Sequence, residues 1–280
     1  MKTHINIHLV SDSTGETVHQ VARASLAQFN HVETSEYIWT LVRSSEHVKT
    51  VSESLTANPG LVLHSIMDET IRAEIIDVCT KQNIPNVAIL DPVVDLLSDI
   101  LGHERNSRPG GQHRLDRAYF DRMGAVEFAV THDDGLNIDK LDDAQILLVG
   151  VSRTSKTPTS MYLAHRGYRV ANYALVPHVP FPLHHIADKS DILVVGLTTD
   201  ASRLARVRRN RLRHMAAHKN EEYADLASIN RELSSARALF TAQDWPILDV
   251  SNRSVEETAA AIIQLHTERN ITTSYLPISQ

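Results

Sequence analysis

Residues Ile146 to Val170 read ILLVGVSRTSKTPTSMYLAHRGYRV, and the order of polarity along them decides the fold. An apolar run ends at Gly150, a polar turn follows, and helical spacing begins near Thr157. Pro158 falls in the first helical turn, where its missing N–H costs nothing. A strand passing through a polar turn into a helix is the opening of a βαβ unit. The turn also carries chemistry. Gly150, Lys156 and Thr157 fill three of the four defining positions of GxxxxGK[ST], and Ser155 stands where the second glycine belongs. In such a loop successive backbone N–H groups and the helix N-terminus surround phosphate oxygens. Lys156 would neutralise a transferring phosphoryl group, Thr157 could hold magnesium (Mg), and Arg153 adds a second cation. The alternative is an ordinary strand–helix junction with two exposed cations. Ser155 weakens the match, because serine enters left-handed backbone less cheaply than glycine.

The same alternation extends outward to both ends of the chain. Apolar strand-like runs lie at 5–10, 36–42, 60–66 and 86–90, then at 144–149, 168–175, 191–197 and 246–250. Helical patterns between them include 16–29, 68–81, 157–166, 202–214 and 255–266. Strands alternating with helices predict an α/β fold with mainly parallel sheets. The alternation breaks between about Gly102 and Asp143, around RNSRPGGQHRLD (105–116) and a helical run at 115–130. Two α/β halves are expected, 1–110 and 111–280, the second resembling a P-loop kinase and including the connector helix.

The chain has 280 residues, 42% hydrophobic and 22% charged, with a formal charge of −6 and a single cysteine. This is globular usage, which excludes disordered and fibrous classes. One cysteine excludes a disulfide framework and a Cys-rich zinc site. The 16 histidines form only loose groupings, His184 with His185 and His214 with His218, without ligands at a recognised spacing. No apolar run reaches a membrane span, and no signal-peptide pattern opens the chain, so a cytoplasmic protein is expected. The net acidity argues against general nucleic-acid affinity. A homodimer is the expected assembly.

A second polar loop, Ser11-Asp12-Ser13-Thr14-Gly15, follows the first strand. Ser13 and Glu16 have the spacing of a capping box, while the surplus polar groups Ser11, Asp12, Thr14 and Thr17 could hold an anion or a phosphorylated side chain. His132-Asp133-Asp134-Gly135 is either a plain turn or a source of a carboxylate for phosphoryl transfer, with Asp12 as the rival. The stretch 202–214 holds Arg203, Arg206, Arg208, Arg209, Arg211 and Arg213, read either as a solvated helix face or as a docking surface.

Four co-linear segments, SDSTGET (11–17), PGGQHRLDRAYFDRMGAVEFAVTHDDG (109–135), GVSRTSKTP (150–158) and DWPILDVSNRSVEETA (244–259), resemble the pyruvate, phosphate dikinase regulatory proteins. A sister group regulates phosphoenolpyruvate synthetase and tends to carry SDGTA where this chain has SDSTG, which favours the dikinase branch. The resemblance implies a bifunctional enzyme. It would use ADP to phosphorylate a threonine of the dikinase, and would remove that phosphate with inorganic phosphate, forming pyrophosphate. The family's nucleotide loop maps onto Gly150, Val151, Ser152, Arg153, Thr154, Ser155, Lys156 and Thr157. Competing expectations are a small-molecule kinase on the same loop and a nucleic-acid-binding regulator using the arginine-rich helix.

Overall fold

The computed structural model describes residues 3–103, 105, 117–189, 191–214 and 221–274. The chain divides into two units, Met1–Arg114 and Leu115–Gln280. In the first, strands β1 (Thr3–Val10), β2 (Val32–Trp39), β3 (Leu61–His64) and β4 (Asn86–Ala88) alternate with helices α1 (Glu16–Leu26), α2 (Ser45–Ala57), α3 (Glu69–Lys81) and α4 (Asp91–Leu101). The second opens with α5 (Arg117–Thr131), followed by β5 (Ile146–Val151), α6 (Lys156–Ala164) and β6 (Val170–Leu175). It continues through β7 (Leu193–Thr198), α7 (Ala201–His214), α8 (Leu226–Ala242), β8 (Ile247–Asp249) and α9 (Val255–Ser274). The sheet orders are β2-β1-β3-β4 and β6-β5-β7-β8, with every pairing parallel. The fold is therefore α/β in two halves.

The two orders are the same order. In each sheet the first strand lies between the second and the third, so the winding reverses there. A crevice opens at such a switch point, beyond the carboxyl ends of the strands. Both polar loops leave a first strand at this place.

Every residue of β5 and β7 is buried. Leu147, Val149 and Val151 pack against Leu204, Ile229 and Leu233 of α7 and α8. Ile146 and Leu148 pack on the other face, against Leu163 of α6 and Ile262 of α9. Helices on both faces explain why these strands read as unbroken apolar runs. Each fully buried leucine contributes roughly 1.5–3 kcal/mol.

Three helices that the periodicity does not single out are set by local signals instead. Ser44, whose hydroxyl accepts from His47 N–H, caps α2, and Asp225, accepting from Ser228 N–H, caps α8. Pro92 sits in the first turn of α4 and left-handed Gly102 ends it. The second strand begins and ends earlier than the 36–42 expected. VETSEYIW lies at a sheet edge and mixes half-buried with exposed residues, burying none fully, so its apolar signal is diluted. Leu41 and Val42 have already left the sheet; their N–H groups donate to Ser13 O and Ser11 O, tying down the first polar loop.

Two buried histidines make the N-terminal unit sensitive to pH. His8 stacks on Tyr37, accepts from Trp39 Nε1–H at Nδ1 (3.3 Å), and lies 2.9 Å from Asn58 O through Nε2. Indole can only donate, so Nδ1 is the acceptor and Nε2 carries the single proton. Burial holds the pKa of His8 below 6.5, against the pull of Asn58 O. Burial likewise lowers that of His64, with Asp91 opposing and Arg72 assisting. The unfolded chain therefore binds more protons as pH falls below about 6.5. Stability is complete above that pH and declines below it. Urea midpoints followed by Trp39 fluorescence in a Trp245→Phe background should drop from about pH 7 to about pH 5.5. A constant midpoint would contradict neutral, buried rings.

Candidate functional site

After Val151 the chain turns through Ser152–Ser155 and enters α6 at Lys156. Arg153 (φ 74°) and Ser155 (φ 61°) are both left-handed. Ser155 thus adopts the conformation of the glycine it replaces, at a cost of roughly 1 kcal/mol. Such turns bring successive N–H groups to face one anion, and the N–H groups of Lys156 and Thr157 open the helix without intrahelical partners. Gly150 permits the curl: a Cβ there would lie 2.7 Å from Leu197 O and 2.8 Å from Thr154 Oγ1.

Lys156 is not the exposed cation that the sequence suggests. Only 5% of the residue is accessible, because its side chain folds back under the loop and Nζ donates to Val151 O at 3.0 Å. Among the described residues this is its one hydrogen bond, so two N–H donors remain for a ligand. Burial lowers its pKa to about 8; Asp134 and Asp133 resist the shift, and Arg153 and Arg208 add to it.

The acidic pair forms a short 3-10 turn after α5, and this turn faces the loop. Thr157 Oγ1 donates to Asp133 Oδ1 at 2.9 Å. Asn172, fully buried on β6, donates through Nδ2 to the same oxygen at 2.6 Å and accepts from Asp134 N–H at 3.1 Å. The His132 ring stacks on Phe128 and lies 3.0 Å from Lys140 O through Nε2, fixing the segment from the other side. Asp134, left-handed at φ 54°, lines a cavity of about 840 Å³ together with Ser152, Phe181 and Arg231. Lys156, Thr157, Asp133 and Asp134 are therefore gathered at the carboxyl end of β5.

The donor set suits magnesium. Thr157 and Asp133 offer hard oxygens, and this ion is commonly held by one or two protein oxygens plus substrate phosphates. Among the described residues no three His, Cys, Asp or Glu side chains assemble for a metal.

The arginine-rich helix departs from both readings of it at one position. Arg208 is fully buried, paired through Nη1 and Nη2 with both oxygens of Glu232 at 2.8 Å. It also donates to Ser152 O (3.2 Å) and Tyr223 O (3.0 Å), and its guanidinium covers the Tyr223 ring. Tyr223 OH in turn reaches Ser152 Oγ at 3.0 Å. Arg208 is thus a brace behind the loop that follows β5. Arg203, Arg206, Arg209, Arg211 and Arg213 are exposed. Helical spacing does separate Arg208 from these neighbours, since it lies four residues after Leu204 and four before Leu212 on the apolar face, and Asn172 is visible as a polar interruption of the strand VANYAL.

The loop Ser11–Gly15 belongs to the N-terminal unit. Its capping box does not form. Gly15, left-handed at φ 78°, is the N-cap of α1 without a side-chain bond, which puts Ser13 two positions too early. Ser11 Oγ accepts instead from Ser13 N–H and Ser65 Oγ–H, and Thr14 is exposed. Asp12 is buried; its Oδ2 accepts from Met67 N–H (2.6 Å) and Asp68 N–H (3.1 Å), joining β1 to the start of α3. Of the histidine groupings, the His184 and His185 rings lie 4.0 Å apart, tilted by 44°, and the His214–His218 side chains lie outside the described residues. Most of the 105–116 segment lies outside them too. No described helix is long and apolar enough to cross a membrane.

Relatives name proteins of one kind. The chain is 44% identical over 266 residues to a pyruvate, phosphate dikinase regulatory protein of Erythrobacter litoralis, covering 95% of each chain. It is 46% identical over 263 residues to one of Caulobacter vibrioides, covering 94% of this chain and 83% of the relative. One of Rhodospirillum rubrum is 45% identical over 264 residues, covering 94% and 95%. The sequence model of the kinase/pyrophosphorylase family matches residues 7–263. That match spans both sheets and the loops at their switch points, and the chain belongs to the kinase/pyrophosphorylase family.

Proposed function

We propose that the chain regulates pyruvate, phosphate dikinase by adding a phosphoryl group from ADP to a threonine of that enzyme and by removing it with inorganic phosphate. The observation that carries this reading is the convergence of buried Lys156, Thr157 and two carboxylates on one phosphate-type loop. The names of the relatives supply the partner.

In the forward direction the threonine oxygen attacks the β-phosphorus of ADP. The bond from that phosphorus to the bridging oxygen breaks, and AMP leaves with the oxygen. The threonine proton passes to Asp134, which lines the cavity, while Lys156 and the loop N–H groups stabilise the charge spreading over the phosphoryl oxygens. Thr157 and Asp133 would hold magnesium, which supplies further neutralisation of that charge. In the return direction an oxygen of inorganic phosphate attacks the phosphothreonine, the bond to the threonine oxygen breaks, Asp134 returns the proton, and pyrophosphate leaves. The attacking phosphate occupies the place of the AMP α-phosphate, so one centre serves both reactions. The cavity beside Ser152 and Asp134 has room for the nucleoside.

The test is incubation of purified dikinase with β-labelled ADP or γ-labelled ATP. Label should reach threonine from ADP alone, with AMP formed. AMP should compete with inorganic phosphate in the dephosphorylation assay, and Asp134→Asn should slow both directions by about 10² or more. Transfer from ATP with ADP inert, or purely noncompetitive inhibition by AMP, would defeat the proposal.

A further inference from the structure

We infer that Asn172 is a positioning residue that assigns the two oxygens of Asp133 to different tasks. This rests on the reading of Asp133 and Thr157 as a cation-holding pair. Asn172 stands in the middle of β6, fully buried, and its amide is completely engaged on the side of the sheet covered by α6. Nδ2 donates one hydrogen to Asp133 Oδ1 (2.6 Å) and the other to Ser160 Oγ on α6 (3.2 Å), while Oδ1 accepts from Asp134 N–H (3.1 Å). Its own backbone N–H donates to His132 O at 3.1 Å. A carboxylate can only accept and a backbone N–H can only donate, so these partners permit one amide orientation.

Asp133 Oδ1 therefore receives two hydrogen bonds, from Asn172 and from Thr157 Oγ1. Among the described residues Oδ2 receives none. The consequence is directional. Oδ1 is occupied as a structural acceptor, the carboxylate is fixed in rotation, and Oδ2 is the oxygen left for a cation. Ser160 continues the chain of bonds, since its hydroxyl donates to Thr157 O (2.9 Å) at the start of α6. Asn172 thus links the acidic turn to the helix that carries Lys156 and Thr157, and sets their separation. An aspartate fixed by the loop alone would swing about its side-chain bonds and present either oxygen.

Four proteins test this: wild type, Asn172→Ala, Asp133→Asn and the double variant. The readouts are Mn²⁺ affinity in the presence of ADP, from the resonance signal of free Mn²⁺, and kcat for transfer to dikinase. Removing a group that orients a metal ligand commonly weakens binding about 10- to 100-fold. Asn172→Ala should reduce Mn²⁺ affinity and kcat to that extent, while the affinity for ADP without metal changes less than about twofold because the backbone donors of the loop remain. In the Asp133→Asn background the same substitution should add less than about twofold, since a residue acting through Asp133 has nothing left to position. Should Asn172→Ala not fold, Asn172→Ser is read in the same way. Additive losses, or unchanged Mn²⁺ affinity in the Asn172 variant, overturn the inference. So does a wild-type chain that binds no Mn²⁺ with ADP, whatever the transfer assay gives. A wild type that binds Mn²⁺ yet phosphorylates no dikinase defeats the functional reading alone, and the Mn²⁺ comparison still decides Asn172.

Discussion

Lys156→Ala lowers the rate of phosphoryl transfer in both directions by roughly 10²-fold or more, the scale expected when one pre-placed donor to a developing negative charge is removed. The fold survives the change. A buried ammonium brings a desolvation penalty, so its removal leaves stability unaltered or raises it slightly. The wild-type rate also carries a pH signature. Lys156 must be protonated to act, and burial has brought its pKa to about 8. In the free enzyme kcat/KM for ADP should therefore fall as pH rises through about 8, about two units below the point at which an ordinary lysine titrates. Bound phosphate favours the charged form, so the limb in kcat should lie higher. A folded Lys156→Ala variant with near-normal rates in either direction would remove the loop from the mechanism of that direction.

The second large effect is on stability. Arg208→Ala should cost about 3–5 kcal/mol, because it leaves Glu232 partly buried without its cation and strips a donor from Ser152 O and Tyr223 O. For a unit of this size that corresponds to a fall in Tm of about 10 °C. Arg206→Ala, two residues away on the exposed face, should change stability by no more than about 0.5 kcal/mol. Replacing both partners, Arg208→Met with Glu232→Leu, should recover much of the loss, since no lone charge then stays buried. Thermal melts of the four proteins decide the matter. Equal small effects at positions 206 and 208 would mean that Arg208 braces nothing.

The fold was legible where the chain is buried on two faces. ILLVGV and LVVGLT read as strands because helices cover both sides of them, and α3 and α7 follow from helical spacing of their apolar residues. Reading failed where an element has one wet face or depends on a distant partner. The edge strand β2 buries none of its residues fully, so apolar content places it several residues later than it lies. The Ser13–Glu16 pattern satisfies the spacing of a capping box, yet Val42 N–H and Leu41 N–H hold that loop from the far end of β2, and the helix starts after Gly15. At the loop of β5 the sequence contained the residue types, but not the burial of Lys156. That burial follows from the curl at Arg153 and Ser155, a matter of backbone angles. The pairing of Arg208 was hidden for another reason. Six arginines crowd α7; Leu204, Ala205 and Leu212 place position 208 on the apolar face of the helix, but its partners Glu232 and Tyr223 lie far away in the sequence.

The repeated strand order gives the molecule two crevices of one design, and they are filled in opposite ways. In the N-terminal sheet the loop after the first strand turns Asp12 inward, and its carboxylate takes the amides at the start of α3. That crevice is self-occupied: an incoming anion would have to evict a tethered carboxylate that is always present. In the C-terminal sheet the equivalent loop carries lysine and arginine, and its acidic groups come from a separate turn beside the helix. The first loop supplies its own anion and is latched by it; the second, Ser152–Ser155, has no carboxylate with which to do so.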